Sequence, residues 1–144
     1  MKKTLKVTIL PGWEDISHDN PEGPATFVRS GENATGVLQF SIQSIYESGP
    51  EPNPTFTELI RLCEHVARLQ EADVIERYSG ECDLGTFGSV IGKSAELPKI
   101  QIWTLTNGRD FVLATFLCPE QPDAAEAAEA ETIVKGVQLQ NQSQ

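Results

Sequence analysis

Residues 103–118 read WTLTNGRDFVLATFLC, and the part after Asn107-Gly108 constrains the fold more than any other stretch of the chain. Asn-Gly between two apolar runs is a strong hairpin signal, because both residues tolerate the backbone of a tight turn. In the run that follows, Arg109–Cys118, successive side chains of a strand point to opposite sides. Val112, Ala114 and Phe116 then share one face, and Phe111, Leu113 and Leu117 share the other. A strand that is apolar on both faces needs cover on both. The chain must therefore build a sheet with this strand inside it and further layers above and below.

The remaining segments supply that sheet and its cover. Leu5, Val7 and Ile9 alternate with polar residues, so Leu5–Leu10 reads as an edge or outer strand that Pro11-Gly12 ends. Ala25–Arg29 and Gly36–Ile45 read as strands joined by the polar turn Ser30-Gly31-Glu32-Asn33. In the second, Leu38, Phe40 and Ile42 oppose Gln39, Ser41 and Gln43, the pattern of a half-buried strand. Pro50, Pro52 and Pro54 form an extended spacer before a helix that Thr55 and Glu58 can cap. Phe56, Leu59, Ile60, Cys63, Val66 and Ala67 give that helix a core-facing stripe to about Gln70. Val74–Tyr78, Asp83–Ser94 and Ile100–Thr106 read as further strands. A second helix starts at Pro122-Asp123, carries the stripe Ala127, Ala130, Ile133, Val134 and Val137, and stops at Gly136.

This order predicts an α+β fold, a mostly antiparallel sheet of about six to seven strands with helices packed on its faces. Residues 1–137 are expected to form one domain, and the polar tail Gln138–Gln144 to fray.

The charge narrows the partners. Against 21 acidic residues stand 11 basic ones, a net charge of −10. Such a surface repels phosphate backbones and anionic bilayers, so neither nucleic acid nor membrane insertion is expected. A basic protein partner is compatible with it. MKKTLKVTIL is interrupted by Lys6 and Thr8 and reads as a strand rather than a signal peptide. Three cysteines without disulfide or metal spacing suit a reducing cytoplasm.

Chemical motifs are sparse. Cys63 and His65 are two apart on a helix and point about 200° away from each other, so they cannot share an ion. His18, Cys82 and Cys118 are isolated in sequence, and no metal or other cofactor is expected. Gly92-Lys93-Ser94 ends like a phosphate-binding loop, but its glycine spacing is short and a strand follows where a helix is needed. Cys118 ends the two-faced strand, where a cysteine is ordinarily core. The pairs Glu14-Asp15 and Glu81/Asp83 fall in polar segments, where solvated charge explains them. Trp13 and Trp103 are the side chains suited to anchor a partner, since tryptophan is enriched at binding hot spots.

Three segments, PGWEDIS, QIWTLTNGRDFVLATFLC and AEAETIVKGVQL, resemble the PsbP/DcrB-like superfamily. The resemblance implies an antiparallel sheet between helices and a protein-binding rather than enzymatic role. Members of that superfamily are photosystem accessory subunits, a small-GTPase regulator, and bacterial chaperones of secreted toxin effectors. Several bacterial members are lipoproteins, whereas this chain shows no lipobox. The expectation is thus a cytoplasmic, non-enzymatic protein-binding domain of bacterial type, an effector chaperone or toxin-neutralising partner; a third reading is a purely structural subunit that forms a homodimer. The alternative is a small-molecule binder or hydrolase using the His18, Glu14 and Asp15 loop or Cys118.

Overall fold

The computed structural model describes residues 3–19, 23–32, 34–44 and 49–141. Its elements run β1 (Lys3–Lys6), β2 (Trp13–Asp15), a 3-10 turn (Ser17–Asp19), β3 (Ala25–Arg29), β4 (Val37–Ser44) and α1 (Phe56–Leu69). They continue with β5 (Asp73–Glu81), β6 (Thr86–Lys93), β7 (Lys99–Thr106), β8 (Phe111–Cys118), α2 (Ala124–Lys135) and β9 (Gln138–Asn141). Seven strands form one antiparallel sheet in the order β2-β3-β4-β8-β7-β6-β5, and β1 pairs with β9 in a separate ribbon.

β8 lies at the centre of the large sheet, with three strands on each side. Its Val112, Ala114, Phe116 and Cys118 join one buried cluster with Trp103, Leu105 and the α2 residues Ala130, Ile133 and Val134. Leu113 and Leu117 pack from the other face against a second cluster containing Cys63 and Ala67 of α1 with Ile100 and Ile102. Alternate residues of β7 divide between the clusters in the same way, so α1 and α2 cover opposite faces. The β1–β9 ribbon covers the α2 side, where Leu5 and Leu139 pack.

Three contacts fix the helices. The Thr55 hydroxyl accepts from the Glu58 N–H at 3.1 Å while the Glu58 carboxylate accepts from the Thr55 N–H at 2.9 Å, a complete capping box. Gly88 lets α1 lie backbone-close on β6, for a Cβ there would meet the Ile60 nitrogen at 2.7 Å. On the other face Glu126, fully buried, accepts from the N–H groups of Thr35 at 3.1 Å and Gly36 at 2.9 Å. That carboxylate ties α2 to the loop entering β4, where only glycine fits against Phe116.

Several expectations need correction. The first strand is Lys3–Lys6 rather than Leu5–Leu10, and it pairs outside the large sheet. Residues 138–141 of the supposedly frayed tail form β9, held by pairing with β1. Trp13–Asp15 is a strand where a loop was expected. The turn between β7 and β8 spans 107–110, because Thr106 pairs with Phe111 and the Asn107 Oδ1 accepts from the Asp110 N–H at 2.7 Å. Asp83–Gly85 is a turn before β6, and Phe56 stays 45% exposed rather than joining the core. Ile45, Asn33 and residues 142–144 lie outside the described residues.

Candidate functional site

Neither tryptophan offers a contact surface. Trp13 is 5% exposed and staples β2 to α2, donating from Nε1 to Glu129 at 2.9 Å. Arg29 closes that corner with ion pairs to Glu129 at 3.3 Å and Asp123 at 3.1 Å. Trp103 is fully buried beneath α2. Next to it runs a polar chain in which Gln101 donates to the Tyr78 hydroxyl at 2.6 Å and Tyr78 donates to Glu131. Burial, then the neighbouring Glu131 carboxylate, pushes the Tyr78 phenol up. It therefore stays protonated and structural.

The residues of the hydrolytic alternative are not brought together. His18 is exposed and pairs with Asp19 at 3.3 Å. Asp15 accepts from the Ser17 N–H at 2.9 Å, and its hydrogen bonds with Ser17 hold its carboxyl below the usual range. Asp15 pairs with Phe27, Phe27 with Leu38, and Leu38 with Phe116, two residues before Cys118. Three strand steps at ~4.8 Å separate that loop from Cys118 by about 14 Å, beyond any nucleophile–base contact. Burial, with the Glu126 charge second, pushes the Cys118 thiol up to about 12. Such a thiol is core material rather than a nucleophile. Cys63, pushed up to about 11 by burial, bonds the Gly88 carbonyl at 3.2 Å. No group of three or more potential metal ligands converges among the described residues.

Two surface features involve α1. This helix covers β5, β6 and β7 but stops short of β8 and β4. The step leaves a groove of about 570 Å3 between helix and sheet. Glu58, Arg61, Leu62, His65 and Val66 line it from α1, Phe111, Leu113 and Thr104 form its floor, and Gln43 of β4 borders it. The helical residues follow the i, i+3, i+4, i+7 spacing of one flank. Pro52 and Pro54 make the far wall, and that spacer is anchored by the Asn53 N–H donating to the Gly108 carbonyl at 2.9 Å.

The second feature is the corner where the C-terminal end of α1 leads into the edge strand β5. Leu69 and Ile75 are 70% and 60% exposed there, the largest exposures among the large apolar residues described. Ile75 sits at the register shift between Val74 and Glu76, a bulge that breaks the pairing edge. Exposed Glu71, Asp73 and Glu76 surround the pair in sequence, while Arg77 is engaged by Glu64 at 2.9 Å. Neither feature was legible as a site in the sequence. The groove gathers residues from five separate segments, and the corner hides its apolar pair among polar neighbours.

The architecture is similar to the solution structure of cyanobacterial PsbP (CyanoP) from Synechocystis sp., with a TM-score of 0.58 and 13% identity. That match covers 96% of this chain and 92% of the other, so the chain has a PsbP-like fold. A crystal structure from Bacteroides thetaiotaomicron aligns over 97% of this chain and 48% of the other at a TM-score of 0.48 and 14% identity. The chain matches no protein-family profile and no curated protein sequence.

Proposed function

From a PsbP-like fold over nearly the whole chain, we propose that this protein is a non-enzymatic protein-binding domain acting in the cytoplasm on a basic partner. The observation that carries the reading is the α1–β5 corner, where the segment 69–76 exposes Leu69 and Ile75 together with Glu71, Asp73 and Glu76. A segment that exposes both apolar and acidic side chains suits a partner whose own patch combines apolar groups with lysine or arginine. The overall charge of −10 would steer such a partner toward the surface. A secreted effector or toxin held in check by this chain fits that chemistry. The unpaired state of Cys63, Cys82 and Cys118 agrees with a reducing compartment.

The test is capture of binding proteins on the immobilised chain at low and high salt, beside a Leu69→Asp, Ile75→Asp double variant. The expected result is a basic protein retained at low salt, released at high salt and absent from the variant. Identical recovery on both chains, or none on either, would overturn the reading.

A further inference from the structure

We propose that the groove between α1 and β8 is a binding site for a small amphipathic carboxylate, with an aryl or branched alkyl body and one anionic head. The inference concerns the groove beside the first three turns of α1 and does not depend on the protein-binding reading.

A volume of about 570 Å3 falls within the ~300–1,000 Å3 of ordinary small-molecule sites. Leu62, Val66, Phe111 and Leu113 give it an apolar floor and inner wall. Above them Arg61 and His65 stand one helical turn apart on the same wall. A guanidinium fork beside an imidazole matches the planar, two-oxygen head of a carboxylate. Among the described residues the one carboxylate that lines the groove, Glu58, is held in the helix cap by the Thr55 N–H at 2.9 Å, and its charge also acts on Arg61. The Thr104 hydroxyl is likewise engaged, by the Cys63 thiol at 3.2 Å. Arg61 and His65 thus bring cationic and hydrogen-bonding groups to an apolar cleft on a chain of net charge −10.

The width of the apolar strip favours a small ligand over a docked helix. Leu38 pairs with Phe116 toward the α2 side, so the neighbouring Gln39 and Ser41 lie on the face that α1 leaves open. A helix about 10–12 Å across would rest on these polar groups as well as on the floor. A compact body needs only the strip between Leu62 and Leu113.

A titration of the 15N-labelled chain with 4-phenylbutyrate, and with the neutral 4-phenyl-1-butanol as its match, tests the proposal. The expected result is saturable shifts of the Leu62, His65, Phe111 and Leu113 amides by the carboxylate. Loss of a charge-assisted bond should make the alcohol at least about tenfold weaker. Arg61→Gln should weaken the carboxylate by a similar factor, whereas Arg68→Gln, on the same helix but outside the groove lining, should leave it unchanged. Arg61 is exposed, so its variant folds and the comparison stays interpretable. Absence of saturable shifts at millimolar carboxylate would overturn the proposal. So would equal affinity for the alcohol, indifference to Arg61→Gln, or shifts centred on Leu69–Glu76.

Discussion

Replacing Gly88 by alanine tests how closely α1 is pressed onto the sheet. A Cβ at that position would stand 2.7 Å from the Ile60 nitrogen, 2.8 Å from the Leu59 Cβ and 2.9 Å from the Leu59 carbonyl carbon. Ordinary contacts lie at about 3.5–4.0 Å, and these atoms belong to or branch directly from the helix backbone. They cannot swing aside as a side-chain end could, so the helix must lift by roughly 1 Å. Overpacking of this kind costs about 1–3 kcal/mol. The lift also weakens the bond from the Cys63 thiol to the Gly88 carbonyl, 3.2 Å in the native chain, worth about 0.5–1 kcal/mol. Against this, alanine restricts the unfolded chain and returns about 0.4–1 kcal/mol. The net expectation is a loss of about 1–3 kcal/mol, or roughly 3–10 °C in Tm for a chain this size. Gly80→Ala is the control, because its Cβ would meet only the Phe87 ring edge at 3.3 Å, and it should cost under about 0.5 kcal/mol. Urea and thermal unfolding measure both. A Gly88→Ala chain as stable as the native one would refute the argument that helix–sheet contact is backbone-close here.

Glu126→Ala should cost about 2–3 kcal/mol in urea unfolding, since it strands the buried N–H groups of Thr35 and Gly36. Lys3→Ala removes the 2.5 Å partner of the buried Asp110 and should raise hydrogen exchange in β1 and β9 before the large sheet. Iodoacetamide should label the half-buried Cys82 first, with Cys63 and Cys118 reacting only on unfolding, as peptide mass spectrometry would show. The same two thiols make stability depend on alkaline pH. Burial raises them from 9.0 to about 11 and about 12 in the folded chain. Their contribution is intact below the unfolded value and declines as pH rises past about 9, because the unfolded chain ionises first. Chemical unfolding at pH 8 and pH 10 should show a smaller decline in a Cys118→Ala chain.

The two-faced run at 111–118 announced the centre of the sheet, and cap residues such as Thr55, Glu58 and Asp123 marked both helices. These are local signals, carried by periodicity and by side chains that bond within a turn. β2 and β9 were illegible because WED and QLQN hold a single apolar residue each and owe their strand geometry to pairing partners. Glu126 is one of several acidic residues in the sequence of α2, yet its carboxylate is buried on two N–H groups 90 or more residues away in sequence. Trp13 and Trp103 illustrate the converse. Their residue type suggested contact with a partner, whereas a short strand under α2 and a central strand place them inside. The groove depends on α1 covering three strands and stopping before β8, a matter of lateral placement that no residue pattern encodes.

Hydrogen exchange on the complex with a captured basic protein tests the central claim most directly. The account predicts new protection over residues 69–76, spanning Leu69 and Ile75, and none in the β2 segment around Trp13. Protection confined to residues 13–19, with 69–76 exchanging as in the free chain, would contradict it.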